Sequence, residues 1–274
     1  MFRTQIPSAM AAFMFLGTLP IFAAPFYIIQ KDTRYTQTSG AAPITPDGFD
    51  FFATVTTPGS FDGGTTTVPV TNQVLPLANQ GTQLQFGSGV IAGQTTFNAT
   101  FPLGVYSFHL TDTANPANTA DATVDDSTET FPIIPALTPS SFAALQSMDP
   151  TQALTVQFNT FTGAPPPFNG PLTFFAIVRQ SNGSIVQFDG LQPDVGQDAI
   201  PANTLLAGEQ YRYILFFSND AVGTNTQLQL NSRTQGFFTP GAAAAAAPEP
   251  STAWLGWAAI ALLAGRFHRR SACR

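Results

Sequence analysis

The chain has 274 residues, of which 44% are hydrophobic and only 9% are charged, and it contains 26 phenylalanines. This apolar content is sufficient for a folded core and argues against a wholly disordered chain. All sixteen acidic residues lie between Asp32 and Glu249, and residues 31–249 hold only five basic ones. Nucleic acid is therefore not expected as a partner, because the body has no basic patch that could neutralise phosphates.

Residues 1–24 predict a secretory signal peptide. Arg3 is followed by a short apolar stretch, by the helix-breaking Pro20 and then by small residues, which is the order found in export signals. Cleavage is expected after Ala23 or Ala24, and an uncleaved N-terminal anchor is the alternative. The rest of the chain is exported under both interpretations.

The middle of the chain predicts an all-β body. Apolar and polar residues alternate with a period of two, which is typical of half-buried strands, in segments 97–101, 106–111, 154–159 and 227–230. Segments 173–178 and 213–217 are apolar on both faces, as expected of central strands. The dipeptide Asn182-Gly183 predicts a hairpin in which both residues have positive φ. Short helices are expected only at 140–148 and 202–206.

Two prolines after an acidic, threonine-rich stretch suggest that the body has two parts. Each part contains a glycine turn followed by Tyr-x-aromatic, at Tyr106 and at Tyr211. This motif resembles the late strand of immunoglobulin-like and fibronectin type III-like sandwiches, in which the tyrosine forms a hydrogen bond to the preceding corner. We expect one β-sandwich domain at 25–131 and an Ig-like β-sandwich domain at 132–240. A single large sandwich or a jelly roll is the alternative.

The body contains few residues that indicate chemistry. His109 is its only histidine, and alternation places it on a strand face where an exposed histidine is favoured over a catalytic base. The acidic group Asp121, Asp125, Asp126 and Glu129 could offer oxygen ligands to calcium but matches no calcium-binding loop, so a solvated acidic loop is favoured. No nucleophile, phosphate or zinc motif is present. We predict no enzymatic activity, no metal and no cofactor.

The C-terminal tail has three parts in a fixed order. An alanine-rich linker at 241–247 precedes Pro248, Glu249 and Pro250, and an uncharged apolar segment follows at 253–265. As a helix this segment would be about 20 Å long, so it is a marginal anchor in a hydrocarbon core of about 30 Å. The residues expected in the membrane are Trp254, Leu255, Trp257, Ile260, Leu262 and Leu263. The expected cytoplasmic basic stop is formed by Arg266, Arg269 and Arg270.

This tail, over residues 248–274, resembles the PEP-CTERM sorting signal of bacterial proteins that are handled by exosortases. The resemblance implies an exosortase-like membrane enzyme and the secretion machinery as partners. It also implies a cytoplasmic-membrane intermediate that is processed near the motif and then reaches the cell surface or the medium. The family is associated with bacteria that make extracellular polysaccharide, so such a polysaccharide is a further candidate partner.

We therefore expect an exported, non-enzymatic surface or extracellular-matrix protein with a structural or adhesive role. A secreted carbohydrate-binding or carbohydrate-active protein is the alternative. The exported body can form no internal disulfide, because the only cysteine of the chain is Cys273. Packing and hydrogen bonds must hold the body together.

Replacing Pro248, Glu249 and Pro250 by alanine should leave full-length protein in the cytoplasmic membrane. Proline at both ends of the motif interrupts the helix and keeps the motif extended at the outer membrane boundary, where a membrane-embedded enzyme can grip it. Mass spectrometry of the surface-exposed protein from the producing cells checks this processing. An intact C-terminus through Arg274 on that protein would contradict it.

Overall fold

The structure, a computed structural model, describes residues 24–56, 58–128 and 130–241. The predicted signal peptide, except for Ala24, and the whole predicted sorting signal lie outside the described residues. Among the described residues, no helix is both long enough and apolar enough to span a bilayer.

The described residues form strands connected by turns and by two short helices. The strands are β1 (Phe26–Thr36), β2 (Gly48–Thr56), β3 (Gly63–Thr67), β4 (Val74–Pro76), β5 (Ala78–Asn79), β6 (Gln83–Gly87), β7 (Gly104–Thr111), β8 (Thr119–Asp126), β9 (Leu154–Gln157), β10 (Leu172–Arg179), β11 (Ile185–Leu191), β12 (Gln197–Ile200), β13 (Tyr211–Val222) and β14 (Thr226–Phe238). The helices are α1 (Gln94–Thr100) and α2 (Pro139–Gln146). The predicted mostly-β fold is confirmed.

Eight of these strands form one large sheet in the order β11-β10-β13-β14-β1-β2-β6-β5. A four-stranded sheet, β4-β3-β7-β8, and a two-stranded sheet, β12-β9, pack on one face of it. Strand β1 pairs in parallel with β14 from Tyr27–Thr226 to Thr36–Gln235, whereas its other neighbour, β2, is antiparallel. The first and the last strands of the body therefore join its two halves in one continuous sheet.

Two hydrophobic cores lie on the same face of the large sheet. In the first core, Tyr27 of β1 meets Phe108 of the four-stranded sheet, with ring centroids 5.3 Å apart. In the second, Phe217 of β13 stacks on Phe161 at 5.1 Å, beside β9 and α2. Two cores agree with a body in two parts, but the sheet continues across the predicted boundary at residue 131. The limits of the two domains remain a prediction.

The alternation that predicted strands is confirmed in β7. Tyr106, Phe108 and Leu110 are buried there, whereas Ser107 and His109 are exposed. Strands β10 and β13 are buried over most of their length on both faces, as their apolar runs predicted. The period of two therefore predicted strands correctly at positions where neighbouring strands form hydrogen bonds with them.

The strand predicted at 97–101 is wrong, because residues 97–100 belong to helix α1. Phe97 and Phe101 are four residues apart, a spacing that fits one helix face as well as one strand face. Their rings pack 5.7 Å apart against the first core, and Ala99, predicted to share that face, is exposed. The helix predicted at 202–206 is also wrong: this segment forms turns, with Asn203 in the left-handed region at φ 64°.

The predicted helix at 140–148 is confirmed as α2, which begins one residue earlier. The side chain of Thr138 accepts a hydrogen bond from the Ser141 N–H and thereby caps the helix. The hairpin between β10 and β11 is also present, but only Gly183 has positive φ, at 71°. The Asn182 side chain instead accepts a hydrogen bond from the Ser184 N–H.

Both Tyr-x-aromatic motifs form the tyrosine corner that the resemblance to immunoglobulin-like sandwiches implied. The Tyr106 hydroxyl donates to the Pro102 carbonyl over 2.8 Å, and the Tyr211 hydroxyl accepts from the Leu206 N–H over 2.9 Å. Both tyrosines have no solvent exposure. Each hydrogen bond fixes the turn before a core strand, at β7 in the first half and at β13 in the second.

Substituting Tyr211→Phe should lower the free energy of unfolding by about 1 kcal/mol, because the Leu206 N–H loses its partner while the ring packing is kept. Denaturant unfolding measures this loss as a lower midpoint with an unchanged slope. Tyr35→Phe is the matched control, since that hydroxyl makes no hydrogen bond among the described residues. An equal loss of stability in both variants would show that the corner bond adds nothing.

Candidate functional site

The candidate site lies on the outer face of the eight-stranded sheet, opposite the two cores. The two smaller sheets and both helices pack on the inner face, so no described strand or helix covers the outer one. Strand pairing places one row of outer side chains across four neighbouring strands, in the order Phe174, Phe216, Arg233 and Arg34. The adjacent row contains Ser218, Asn231, Asp32 and Asp50. Aromatic, basic and acidic groups are thus brought together from five strands.

Asp50 is the acidic centre of these rows and is 1% exposed. It forms an ion pair with the Arg34 Nε, and the Arg233 Nη2 lies 3.5 Å from its Oδ2. Burial raises the pKa of Asp50, although the two arginines oppose this increase. Burial also lowers the pKa of Arg34, and the like charge of Arg233 lowers it further. The two guanidinium groups therefore share a single carboxylate.

Asp32 is stabilised differently, by hydrogen bonds from amide groups. Gln30 and Asn231 donate hydrogen bonds to its Oδ1 over 2.8 and 2.7 Å, respectively. It is 2% exposed and forms no ion pair among the described residues. The hydrogen bonds hold this carboxylate in place and leave the neighbouring arginines to other partners.

Arg212 is the basic group of this face that has no acidic partner among the described residues. Its Nη1 donates to the Gln235 Oε1 over 3.3 Å, and only 8% of the residue is exposed. Burial lowers the pKa of Arg212 to about 10, and the charges of Arg233 and Arg34 contribute to this decrease. We call Arg34, Arg212 and Arg233 the arginine group. It contains three of the four arginines that the structure describes, although the body as a whole is acidic.

Aromatic rings border the arginine group on one side. Phe174 stacks on Phe188 with ring centroids 5.5 Å apart and packs against Phe216 at 5.8 Å. Phe188 and Phe237 are each 42% exposed, so these rings can contact a ligand. At the same end of the sheet, a cleft of 350 Å³ is lined by Thr36, Gln37, Thr38, Phe142, Gln146 and Phe237. Guanidinium groups beside exposed rings can bind an anionic group together with an apolar surface.

A second acidic pair lies near the edge of the sheet, between β11 and β12. Gln187 donates to the Asp189 Oδ2 over 2.7 Å and to the Asp198 Oδ2 over 3.1 Å. Burial raises the pKa of Asp198, and the adjacent Asp189 raises it further. The Gln187 amide therefore links the two carboxyl groups.

The residues singled out from sequence do not assemble into one site. His109 is exposed, as predicted, and its Nδ1 lies 2.8 Å from the Asp121 Oδ1. Asp125 is exposed and binds Ser127, whereas Asp126 points into the first core. Glu129 lies outside the described residues. Among those that are described, no three His, Cys, Asp or Glu side chains form a group that could hold a metal ion.

The arginine group was missed at the sequence level. Each of its members lies at an outward position of a strand, where alternation predicts only solvent exposure. Arg34, Arg212 and Arg233 are separated by up to two hundred positions, and only the pairing of β1, β14 and β13 brings them together. The sequence does show that arginines are scarce in an acidic body, which marks them as unusual. It does not indicate which of them are neighbours in the fold.

Comparisons with known proteins find likenesses among solved structures only. No protein-family model and no curated protein matches the chain. It is similar to a structure described as the BSP domain of a biofilm-associated protein, with 14% identity, a TM-score of 0.22 and coverage of 82% of this chain. The chain spans 30% of the length of that protein. It is also similar to the FN1–FN3 domains of chicken CNTN1, with 9% identity, a TM-score of 0.23 and coverage of 69% of this chain and 62% of the other.

By its packed sheets and its two tyrosine corners, the described body belongs to the mostly-β, sandwich-forming class of proteins.

Asp220, also on the outer face, is a buried acid at 2% exposure. Burial raises its pKa to about 6, although hydrogen bonds from Ser218, Gln227 and Gln229 oppose this increase. A raised pKa means that the folded state disfavours the ionised form. The resulting loss of stability is absent below the unfolded pKa of 3.8 and fully present above about 6.

Asp220→Asn should therefore raise the free energy of unfolding at about pH 8, by up to about 3 kcal/mol, and change it little at about pH 4. The Gln227 amide can turn to accept from the new Nδ2, because its Oε1 has no hydrogen-bond partner among the described residues. Thermal unfolding at both pH values measures the difference. Asp194→Asn is the control, because it removes the same charge from an exposed acid. Equal effects at both pH values would contradict the burial argument.

Proposed function

We propose that this protein is an exported component of the bacterial cell surface or extracellular matrix, with a structural and adhesive role and no catalytic activity. Its sequence supports this through the predicted signal peptide and the PEP-CTERM-like tail, at which an exosortase-like enzyme would process it. The adhesive contact is made by the outer face of the large sheet. Its ligand is an acidic polysaccharide.

The arginine group is the observation that carries this proposal. Three guanidinium groups lie beside two carboxylates, Asp50 and Asp32, at the centre of the outer face, and the third carboxylate of this face, Asp220, accepts hydrogen bonds from Ser218 and Gln227. Arg212 in particular has no acidic partner among the described residues. A sugar carboxylate would give it the paired, charge-assisted hydrogen bonds that a guanidinium favours.

The surroundings of the arginine group favour a sugar over a simple anion. The exposed faces of Phe188 and Phe237 offer apolar surface to a ring. On the other side of the arginines, the partly exposed Gln229 offers an amide for hydrogen bonding. A chain of acidic sugars would offer carboxylates to the arginine group. Its rings and hydroxyl groups would contact the neighbouring apolar and hydrogen-bonding side chains.

A carbohydrate-active enzyme is the second candidate, and the carboxyl groups argue against it. Asp50 is paired with arginines, Asp32 accepts from amides, and Asp220 accepts from Ser218 and Gln227. Each of these three carboxyl groups is thus held by side-chain partners of its own, whereas a glycosidase needs two carboxyl groups that act on the sugar. Binding without cleavage is therefore the role that the geometry supports.

Binding to a soluble polyuronate should require Arg212. Arg212→Gln should weaken this binding about tenfold, the loss expected for one charge-assisted hydrogen-bonded pair. The same variant should keep or gain stability, since it removes a charge that is repelled by Arg34 and Arg233. Titration calorimetry of the secreted protein, with thermal unfolding alongside, measures both quantities.

Arg179→Gln is the matched control, because it removes the same charge from the inner side of β10, where Arg179 pairs with Tyr211. It should leave binding unchanged. Dextran of similar length tests the need for acidic sugars. Equal affinity for dextran and polyuronate, or equal losses in the two arginine variants, would contradict the proposed site, and release of reducing ends would contradict the absence of catalysis.

A further inference from the structure

The chain contains one lysine, Lys31, and it lies inside the first core with 1% of its surface exposed. Its Nζ is 2.7 Å from the Oδ2 of Asp126, which has no exposure. Lys31 belongs to β1 of the large sheet and Asp126 to the end of β8 in the four-stranded sheet. The pair therefore connects the two sheets of the first sandwich from within.

The surroundings of this pair are unfavourable for charges. The Lys31 Nζ lies 5.8 Å from the ring centroid of Phe97 and 5.9 Å from that of Tyr106, and both rings are fully buried. Removing an ammonium and a carboxylate from water costs more than their attraction usually returns. Moving one proton from Nζ to the carboxylate removes both charges. It leaves a neutral amine in contact with a neutral carboxylic acid.

We propose that Lys31 and Asp126 condense spontaneously to an amide bond that links β1 to β8. The lone pair of the Nζ attacks the Asp126 Cγ, and the C–N bond forms as the carbonyl electrons move to oxygen. The carbonyl is restored when the C–O bond to the hydroxyl breaks, and this hydroxyl leaves with a proton from the Nζ as water. One amine and one carboxylic acid give one amide and one water, with no change in oxidation state.

Two features of the core favour this reaction. The sandwich holds the amine and the acid in contact, and well-oriented intramolecular reactions reach effective concentrations of about 10⁵–10⁸ M. The core also excludes the water that would hydrolyse the product. Because the exported body has no disulfide, this amide would be its one covalent cross-link and would close the chain between residues 31 and 126. The inference does not depend on the polysaccharide ligand.

Peptide mapping of the wild-type protein, purified from the producing cells, decides the proposal. After denaturation and chymotryptic digestion, we expect one cross-linked species that contains both residues and is about 18 Da lighter than the two peptides together. Trypsin should also fail to cleave after Lys31. Recovery of Lys31 and Asp126 only in separate linear peptides, from protein with a cooperative unfolding transition, would overturn the proposal.

Variants test the chemistry. Lys31→Met and Asp126→Ala should each have the full mass of their sequence over this region, whereas Asp125→Ala, at the exposed neighbour, should keep the loss of water. Asp126→Asn should give the same amide with loss of ammonia, about 17 Da, because the side-chain amide nitrogen then leaves in place of the hydroxyl. Loss of water that persists in Lys31→Met would assign it to another site and contradict the proposal. The wild-type map remains decisive if a variant fails to fold.

Discussion

The parallel pairing of β1 with β14 is the interaction on which the rest of the structure depends. It joins the strand that begins the body to the strand that ends it, in continuous register from Tyr27–Thr226 to Thr36–Gln235. Without it, each half would have an open sheet edge with unpaired N–H and C=O groups. With it, both hydrophobic cores lie under one sheet, and the opposite face becomes a single surface.

The proposed binding surface is a direct result of this pairing. Arg34 on β1 and Arg233 on β14 are adjacent because their strands are in register, and both then reach Asp50 on β2. Arg212 joins them through β13, on the other side of β14. A body with few basic residues thus concentrates them where its two halves meet. Strand pairing, more than composition, therefore determines where positive charge lies on the body.

Much of the fold could be predicted from local sequence, and the site could not. The corners at Tyr106 and Tyr211 and the strand β7 follow from short patterns, because a turn and an alternating strand are decided by adjacent residues. Segment 97–101 failed because a spacing of four fits both a helix and a strand. The β1–β14 register is a contact between distant segments, and no local period encodes it. Gln227, for example, was expected on the polar face of a half-buried strand, yet it is 3% exposed and donates to Asp220.

The direction of the β1–β14 pair determines how the body resists pulling. Because the strands are parallel, the chain enters β1 at Phe26, at one end of the ladder, and leaves β14 at Phe238, at the other end. Tension applied to the chain before Phe26 and after Phe238 slides the two strands past each other. All hydrogen bonds of the ladder then bear the load together, whereas an antiparallel pair pulled from one end would open one bond at a time. The body is thereby arranged as a mechanical clamp loaded in shear.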